Sequence, residues 1–385
     1  MLARTPGAPE GVKGISLFLV PKFLARADGA LGARNDVFCA SLEHKLGILA
    51  SPTAVLQYGE RGGAIGYLVG EENRGLEYMF VMMNAARFSV GVQGVAIAER
   101  AYQKAVAYAR ERVQSRPVDG STPHSVTIIH HPDVRRMLMT MRAHTEAARA
   151  LGYLVVGAHE RARTHPDDAV RKQSKTLNEF LVPLFKGYAT EMSQVVTGLG
   201  VQVHGGMGFI EETGAAQLFR DARILSIYEG TTAIQANDLI GRKTLRDGGQ
   251  TVRWIAAQMA ETESQLERSG AVDARAVLKY LRAAREAFLQ VVDFVLLNSK
   301  SDINAVFAGS VAYLMLAATT VAGWQLARAL LIAGQAPSRG DGQFYAAKIA
   351  TARFYAEHVL SQVPGQRDVV MQGGHSVLGM ALEAF

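Results

Sequence analysis

The chain contains a single cysteine, Cys39, in 385 residues, so it cannot form an intramolecular disulfide. Without a disulfide framework the fold must be stabilised by its buried core, and a reducing compartment is expected, which predicts a cytoplasmic protein. One thiol also excludes zinc sites built from several cysteines, and no metal site is predicted.

Charge of one sign is not concentrated anywhere. Lys and Arg number 41 against 35 Asp and Glu, and no five consecutive residues carry the same sign, which argues against a nucleic-acid-binding arm. The first residues, MLARTPGAPEGVKG, lack the apolar centre of a secretory signal. With 49% hydrophobic and 20% charged residues, the composition excludes a disordered chain and indicates a globular protein with a large core.

Long uncharged runs are also scarce, and only residues 303–327 need to be weighed as a membrane span. The run is long enough, since about 20 residues cross a bilayer. Its many Ala and Gly residues and its polar side chains favour a helix buried inside a bundle, so no membrane span is predicted. The polar residues are Asn304, Ser310, Thr319, Thr320 and Gln325.

The first 76 residues contain short β-rich apolar runs, each closed by proline or glycine. They are GISLFLVP (14–21), TAVLQYG (53–59) and AIGYLVG (64–70). Such runs are typical of strands, and so few of them predict a partial β unit rather than a complete β domain.

Helical periodicity replaces the strand pattern from about residue 79. An apolar stripe of Val134, Leu138 and Met141 follows Pro132, and proline is favoured in the first turn of a helix. A second stripe consists of Leu281, Ala284, Phe288, Val292 and Val295. Helices are predicted over 79–115, 132–164, 168–199, 215–245, 252–268, 275–298, 303–334 and 341–363, separated by turn sequences at 116–117, 165–168, 247–249 and 337–340.

Two segments suggest chemistry. The first, GLGVQVHGGMGF (198–209), is rich in glycine, whose backbone amides can approach a phosphate closely, although glycines between helices also serve simply as turns. The second, FRDARILSIYEGTTAIQ (219–235), places one acid, Glu229, after an apolar stretch. Apolar surroundings disfavour the charged form of a carboxylate and suit proton abstraction, whereas the alternative is a surface glutamate beside a helix start.

Together, in this order and spacing, these segments resemble the paired signatures of the acyl-CoA dehydrogenase family. LEHKLGILASPT (42–53) resembles the β-domain of the family, GEENRGL (70–76) resembles the loop before its first long helix, and YARERVQ (108–114) resembles the motif that closes that helix. Residues 244–385 resemble the C-terminal helical extension of the subgroup that includes methylmercaptopropionyl-CoA dehydrogenases. The implied fold is mainly α: a partial β domain (1–76), the C-terminal helical bundle of the family (77–243) and a second helical domain (244–385).

The resemblance implies FAD-dependent α,β-dehydrogenation of an acyl-CoA, with electrons passed to an electron-transfer flavoprotein, in a homodimer or homotetramer. Glu229 matches the catalytic base, and its backbone amide would help hold the thioester carbonyl. The matched FAD-binding positions are Arg112, Gln114, Gln202, Gly205, Gly206 and Thr231, and the matched substrate-binding positions are Asn84, Arg87 and Gly230. For Asn84 and Arg87 the alternative is local capping or pairing. His131 aligns near the ADP portion of the flavin, and Ala233 departs from a polar residue of other branches.

Members of the family begin with a helical domain and then a β domain, whereas this sequence begins inside the β domain, near GVKGISLFLVP (11–21). The resemblance therefore implies that the segment stacking on the flavin ring is absent. On that basis the chain is expected to form an oligomer and to hold FAD weakly or not at all, and its activity on its own is left open.

Two other functions compete with dehydrogenation. The helices of 79–243 and 244–385 could form a non-catalytic oligomerisation module with a vestigial flavin site. Association with nucleic acid through 244–385 is disfavoured, because acidic residues are interleaved with the basic ones throughout that region.

Overall fold

The computed structural model describes residues 1–335 and 341–385, and the turn predicted at 337–340 lies outside the described residues. The chain divides into two compact units, Met1–Ala86 and Arg87–Phe385. The mainly helical class predicted from the sequence is confirmed. The finer division into 1–76, 77–243 and 244–385 stays a prediction.

Within Met1–Ala86, all of which is described, short antiparallel strands form three small sheets of order β1-β2-β7, β3-β4 and β5-β6. The runs at 14–21, 53–59 and 64–70 contain β2, β6 and β7 as predicted, while the other strands are too short or too polar to show a clear pattern. The strands are β1 (Leu2–Ala3), β2 (Ser16–Leu19), β3 (Phe23–Ala25), β4 (Leu31–Arg34), β5 (Val37–Leu42), β6 (Ala54–Tyr58) and β7 (Tyr67–Val69).

Helices dominate the rest of the chain. Within residues 1–335 and 341–385 they are α1 (Gly75–Glu111), α2 (Pro132–Thr164), α3 (Asp168–His204), α4 (Ala215–Ala222), α5 (Thr232–Asp238), α6 (Gln250–Ser269), α7 (Val272–Asn298), α8 (Ile303–Ala308), α9 (Ser310–Gln335), α10 (Gly342–His358), α11 (Val363–Gln372) and α12 (Gly374–Leu378). A π-helical turn, Leu239–Thr244, extends α5.

Three of the eight helix predictions, 132–164, 252–268 and 275–298, are confirmed to within a turn. Two more miss one end by five residues, because 168–199 continues to His204 and 341–363 ends at His358. The other three are wrong in an informative way. The predicted helix 79–115 ends at Glu111, and the chain then runs extended, with a β-bridge between Val113 and Thr127. The predicted helix 303–334 is broken at Gly309, where ψ is 2°. The predicted helix 215–245 is broken by a turn at 227–231, which carries the predicted base.

Both apolar stripes face the core as predicted. On α7, Leu281, Ala284 and Phe288 are fully buried. On α2, Met141 is fully buried and Leu138 is 7% exposed. These helices therefore gain their stability by packing one face against the bundle, which is the usual source of helix stability in a folded protein.

The ring of Phe185 on α3 fixes a close approach of three helices. A side-chain carbon added at Gly91 on α1 would lie 2.6 Å from the Phe185 ring, and one added at Gly152 on α2 would lie 2.9 Å from it. Both positions therefore require glycine, and the ring fills the space that the two glycines leave.

A buried chain of hydrogen bonds joins α2 and α3 to α9 and α10. The His144 ring nitrogen Nδ1 lies 3.0 Å from the Tyr188 hydroxyl, which lies 2.9 Å from the Tyr355 hydroxyl. Tyr355 in turn donates to the Thr319 carbonyl over 3.2 Å. Burial lowers the pKa of His144 to about 4, so this imidazole is neutral near pH 7.

Two described helices are long and apolar enough, by length and composition alone, to cross a membrane. In Ser310–Gln335 most of the apolar window is buried inside the helical unit, as expected for a core helix. In Gly75–Glu111 only 22% of the corresponding window is buried, and the sequence did not single this helix out.

Candidate active site

The predicted base lies on a left-handed turn between two short helices. After α4 the chain makes one turn of 3₁₀ helix, Arg223–Ser226, and α5 begins at Thr232. Between them Glu229 has φ 55° and Gly230 has φ 88°. A left-handed conformation costs a non-glycine residue about 1–2 kcal/mol, so surrounding contacts must hold Glu229 in place.

Three side chains provide those contacts. Thr231 caps α5, because its Oγ1 accepts from the Ile234 amide over 3.3 Å. The Gln235 amide nitrogen donates to the carbonyl oxygens of Glu229, at 3.4 Å, and Gly230, at 3.2 Å. From α3, the Lys186 ammonium donates to the same Gly230 carbonyl over 2.6 Å.

Lys186 is fully buried, with a relative exposure of 0%. Burial lowers its pKa from 10.5 to about 8, an effect that Glu191 and Glu229 oppose and that Arg87 reinforces. Glu191 itself accepts a hydrogen bond from the hydroxyl of Thr232. A charged amine therefore contacts the backbone of the turn that carries the predicted base.

The Glu229 carboxylate has no partner in a hydrogen bond or an ion pair within residues 1–335 and 341–385, and the residue is half-buried. Its neighbour Tyr228 is tied down, since the Tyr228 hydroxyl donates to Gln93 Oε1 over 2.5 Å. The backbone of this segment is thus held while the carboxylate stays available for a proton, which is what a general base requires.

Arg87, predicted to contact the substrate, forms an ion pair inside the helical unit. Its guanidinium lies 3.1 Å from the Asp238 carboxylate, and both side chains are less than 10% exposed. Asp238 is 151 positions away in the sequence, so this is a long-range pair and not the local pairing considered from the sequence. The substrate contact of Arg87 stays a prediction. Asn84 lies on α1 in the other compact unit, Met1–Ala86.

We expect Arg87→Met to lower the free energy of unfolding by about 3 kcal/mol, because it leaves the Asp238 carboxylate buried without its main partner. Arg87→Met/Asp238→Leu should recover most of that loss. Arg136→Met is the matched control, since the Arg136–Asp133 pair is exposed and should contribute less than about 1 kcal/mol. Urea unfolding measures all three variants, and a loss in Arg87→Met no larger than in the control would contradict the prediction.

The buried ammonium makes a second prediction, on stability against pH. Below pH 8 Lys186 is protonated in both folded and unfolded chains, so its full burial cost applies. Between 8 and 10.5 the unfolded chain binds more protons, so stability rises with pH relative to a variant without the amine. Across that interval we expect the unfolding free energy of the wild type to rise by about 3 kcal/mol relative to that of Lys186→Met.

Urea unfolding at a series of pH values tests this expectation. Lys175→Met is the control, because Lys175 lies on the same helix and is exposed. For Lys175→Met the difference from wild type should stay constant with pH. The same flat response in Lys186→Met would show that Lys186 is not held as a buried cation.

Five of the predicted FAD-binding residues line one cavity of about 560 Å³. They come from two places in the chain: the extended segment after α1, and the end of α3 with the glycine turn that follows it. Gly205, at φ 60°, ends α3 and also lines the cavity, so its role in a helix-ending turn does not exclude a role at the cavity. The five residues are Arg112, Gln114, Gln202, Gly205 and Gly206.

The cavity wall is held by contacts that the sequence did not reveal. His131 Nε2 donates to the Gln114 carbonyl over 2.8 Å. His204 donates from Nδ1 to the Gly200 carbonyl over 2.7 Å, and its ring stacks on Tyr108 with 4.5 Å between centroids. Burial lowers the pKa of His204, which favours the neutral ring in this stack.

The sixth predicted FAD-binding residue, Thr231, does not line this cavity and lies beside Glu229. Two residues of the Glu229 turn, Lys186 and Gln235, were not assigned a role from the sequence. A lysine within an apolar helix, in PLFKGY (183–188), was the available signal for the first. Nothing in the sequence pattern marked the second.

Comparison with known proteins agrees with this fold. The profile described as "Acyl-CoA dehydrogenase, C-terminal domain" matches residues 73–244, and "Acetyl-CoA dehydrogenase C-terminal like" matches residues 251–381. An acyl-CoA dehydrogenase from Bacillus anthracis, solved in complex with FAD, has the same fold with a TM-score of 0.70 at 20% identity, over 94% of this chain and 62% of that one. The chain belongs to the acyl-CoA dehydrogenase family.

Within the family, the chain is 55% identical over 383 residues to 3-methylmercaptopropionyl-CoA dehydrogenase of Ruegeria pomeroyi, covering 99% of this chain and 64% of that protein. It is 35% identical to the broad-specificity linear acyl-CoA dehydrogenase FadE5 of Mycobacterium tuberculosis, covering 100% of this chain and 65% of that protein. The chain therefore spans just under two thirds of the length of these relatives.

Proposed function

We propose that this chain acts in the FAD-dependent α,β-dehydrogenation of an acyl-CoA thioester, with Glu229 as the base. The observation that carries the proposal is the unpartnered Glu229 carboxylate, presented on a left-handed turn that Lys186 and Gln235 hold from beneath. A glutamate fixed in a strained backbone conformation, with its carboxylate free, is typical of a functional residue.

The residues of the cavity fit a flavin nucleotide. A side-chain carbon at Gly205 or Gly206 would meet no heavy atom within 4 Å, so the glycines leave open room along the wall. The Arg112 guanidinium has no side-chain partner in the described part of the chain and is exposed. A guanidinium binds a pyrophosphate well, because it donates two parallel hydrogen bonds to phosphate oxygens.

When bound, FAD supplies the acceptor for the hydride that leaves the β-carbon of the acyl chain. Glu229 removes the proton from the α-carbon, and the electron pair left behind forms the new carbon–carbon double bond. The Glu229 backbone amide would donate to the thioester carbonyl as negative charge develops there. The products are a 2,3-enoyl-CoA and two reducing equivalents.

An electron-transfer flavoprotein is the proposed acceptor of those equivalents. A homodimer or homotetramer in the cytoplasm is the proposed assembly. A non-catalytic oligomerisation module is the less favoured alternative, because such a module has no need of a strained glutamate held by a buried cation.

We expect Glu229→Gln to abolish acyl-CoA-dependent bleaching of the flavin while leaving FAD binding unchanged. The amide keeps the size of the side chain but cannot accept the proton, and general base catalysis contributes about 10²–10⁴-fold. The measurement is flavin absorbance after acyl-CoA is mixed with the 385-residue chain in excess FAD.

Glu212→Gln is the matched control, because Glu212 is exposed on a neighbouring turn and should bleach like wild type. If Glu229→Gln bleaches the flavin at a rate within about threefold of the wild-type rate, the assignment of the base is wrong. A wild-type chain that never bleaches in excess FAD would contradict the proposed activity.

The cavity is tested separately with ADP, which shares its diphosphate with FAD. We expect Arg112→Ala to weaken ADP binding by about 10- to 100-fold, as for loss of a hydrogen bond to a charged group. Calorimetric titration measures the affinity, and Arg116→Ala, exposed on the next loop and not on the cavity, should leave it unchanged. Equal affinities in the two variants would remove Arg112 from the nucleotide site.

A further inference from the structure

The turn that carries Glu229 is held by two donors from two different helices. Lys186, on α3, donates to the Gly230 carbonyl, and Gln235, on α5, donates to the carbonyls of both Glu229 and Gly230. We infer that Lys186 and Gln235 are positioning residues that lock the Glu229–Gly230 backbone in its left-handed conformation, and with it the Glu229 carboxylate and amide.

The chemistry of Gln235 supports this role. Its side chain is fully buried, its amide nitrogen contacts both turn carbonyls, and its Oε1 has no hydrogen-bond partner among the described residues. Leaving a buried acceptor unsatisfied is costly, so this glutamine is explained by its donor half alone. The neighbouring glycine is equally constrained, since a side-chain carbon at Gly230 would lie 2.7 Å from that amide nitrogen.

The chemistry of Lys186 supports the same role. A lysine with no exposed surface is unusual, because transfer of an ammonium out of water is unfavourable unless a specific interaction compensates. Its hydrogen bond is made to the Gly230 carbonyl, and the carboxylates nearest to it, Glu191 and Glu229, have no ion pair with it. The ammonium therefore serves the backbone of the turn rather than a structural salt bridge.

Geometry explains why two donors are needed. Helices α4 and α5 are short, and the turn between them has two consecutive residues at positive φ, the first of which is not glycine. Without the donors, Glu229 would relax towards the ordinary right-handed region, and its carboxylate and amide would change direction together. This inference rests on the proposed function only in its consequence for turnover.

A protease specific for glutamate tests the conformation of the turn directly. Cleavage after Glu229 needs the turn to open, whereas exposed Glu212 provides an internal reference in the same digest. We expect Lys186→Met to raise cleavage after Glu229, relative to Glu212, by about ten- to a hundred-fold, as for loss of one hydrogen bond to a charged group. Lys175→Met, on the exposed side of the same helix, should leave the ratio unchanged.

Turnover provides the second readout. In Lys186→Met we expect kcat to fall at least tenfold, since a misplaced base slows the chemical step, while KM for the acyl-CoA stays within about twofold. Gln235→Met should show the same pattern in both assays, which keeps the test decisive if one variant fails to fold.

An unchanged cleavage ratio in both variants would overturn the inference, whatever their turnover. A raised KM with unchanged kcat would also overturn it, because it would place these residues against the substrate. The failure of Glu229→Gln to lose activity would refute the proposed base instead, and it leaves the cleavage ratio of the other variants unaffected, so the two failures are distinguishable.

Discussion

A protonated amine enclosed in a helical bundle is the constraint on which this site depends. Lys186 is buried at a point where α3, α5 and the Glu229 turn meet, and its strongest contact is a backbone carbonyl. Burial of the charge opposes folding, as its lowered pKa shows, whereas its hydrogen bond favours one conformation of the turn. Stability is therefore reduced at the place where a fixed geometry is needed, as in many functional sites.

The position of that amine is set by the residue before it. Phe185 fits between Gly91 on α1 and Gly152 on α2, at distances that leave no space for a larger residue at either glycine. Because close-packed interiors transmit small displacements, the rotation and height of α3 are fixed by this contact. The packing of Phe185 therefore helps to position Lys186, and the hydrogen bond to the Gly230 carbonyl orients its ammonium.

The fold could be predicted largely from the sequence, because long amphipathic helices such as α2 and α7 have a clear apolar period. The base and the five cavity residues could be named only through resemblance to a family, and their roles stay predictions. The local backbone of the site could not be predicted. The helical pattern runs through 215–245 and does not show that the helix is interrupted at Glu229 and Gly230. Tertiary packing brings Arg87 to Asp238 and Lys186 to Gly230, and the partners in each pair are far apart in the sequence. Gln235 is close to Gly230 in the sequence, but the helical pattern around it does not show that its side chain turns back to that carbonyl.

The hydrogen-bonded chain from His144 through Tyr188 to Tyr355 crosses between the two regions that family profiles match separately. Tyr188 and Tyr355 are fully buried inside Arg87–Phe385, His144 is half-buried, and the two tyrosine hydroxyls satisfy one another. If the two regions were separated, these polar groups would lose their hydrogen-bond partners at a largely apolar surface. The C-terminal helices therefore lie in the same compact unit as the helices of the first matched region, and they enlarge its buried core.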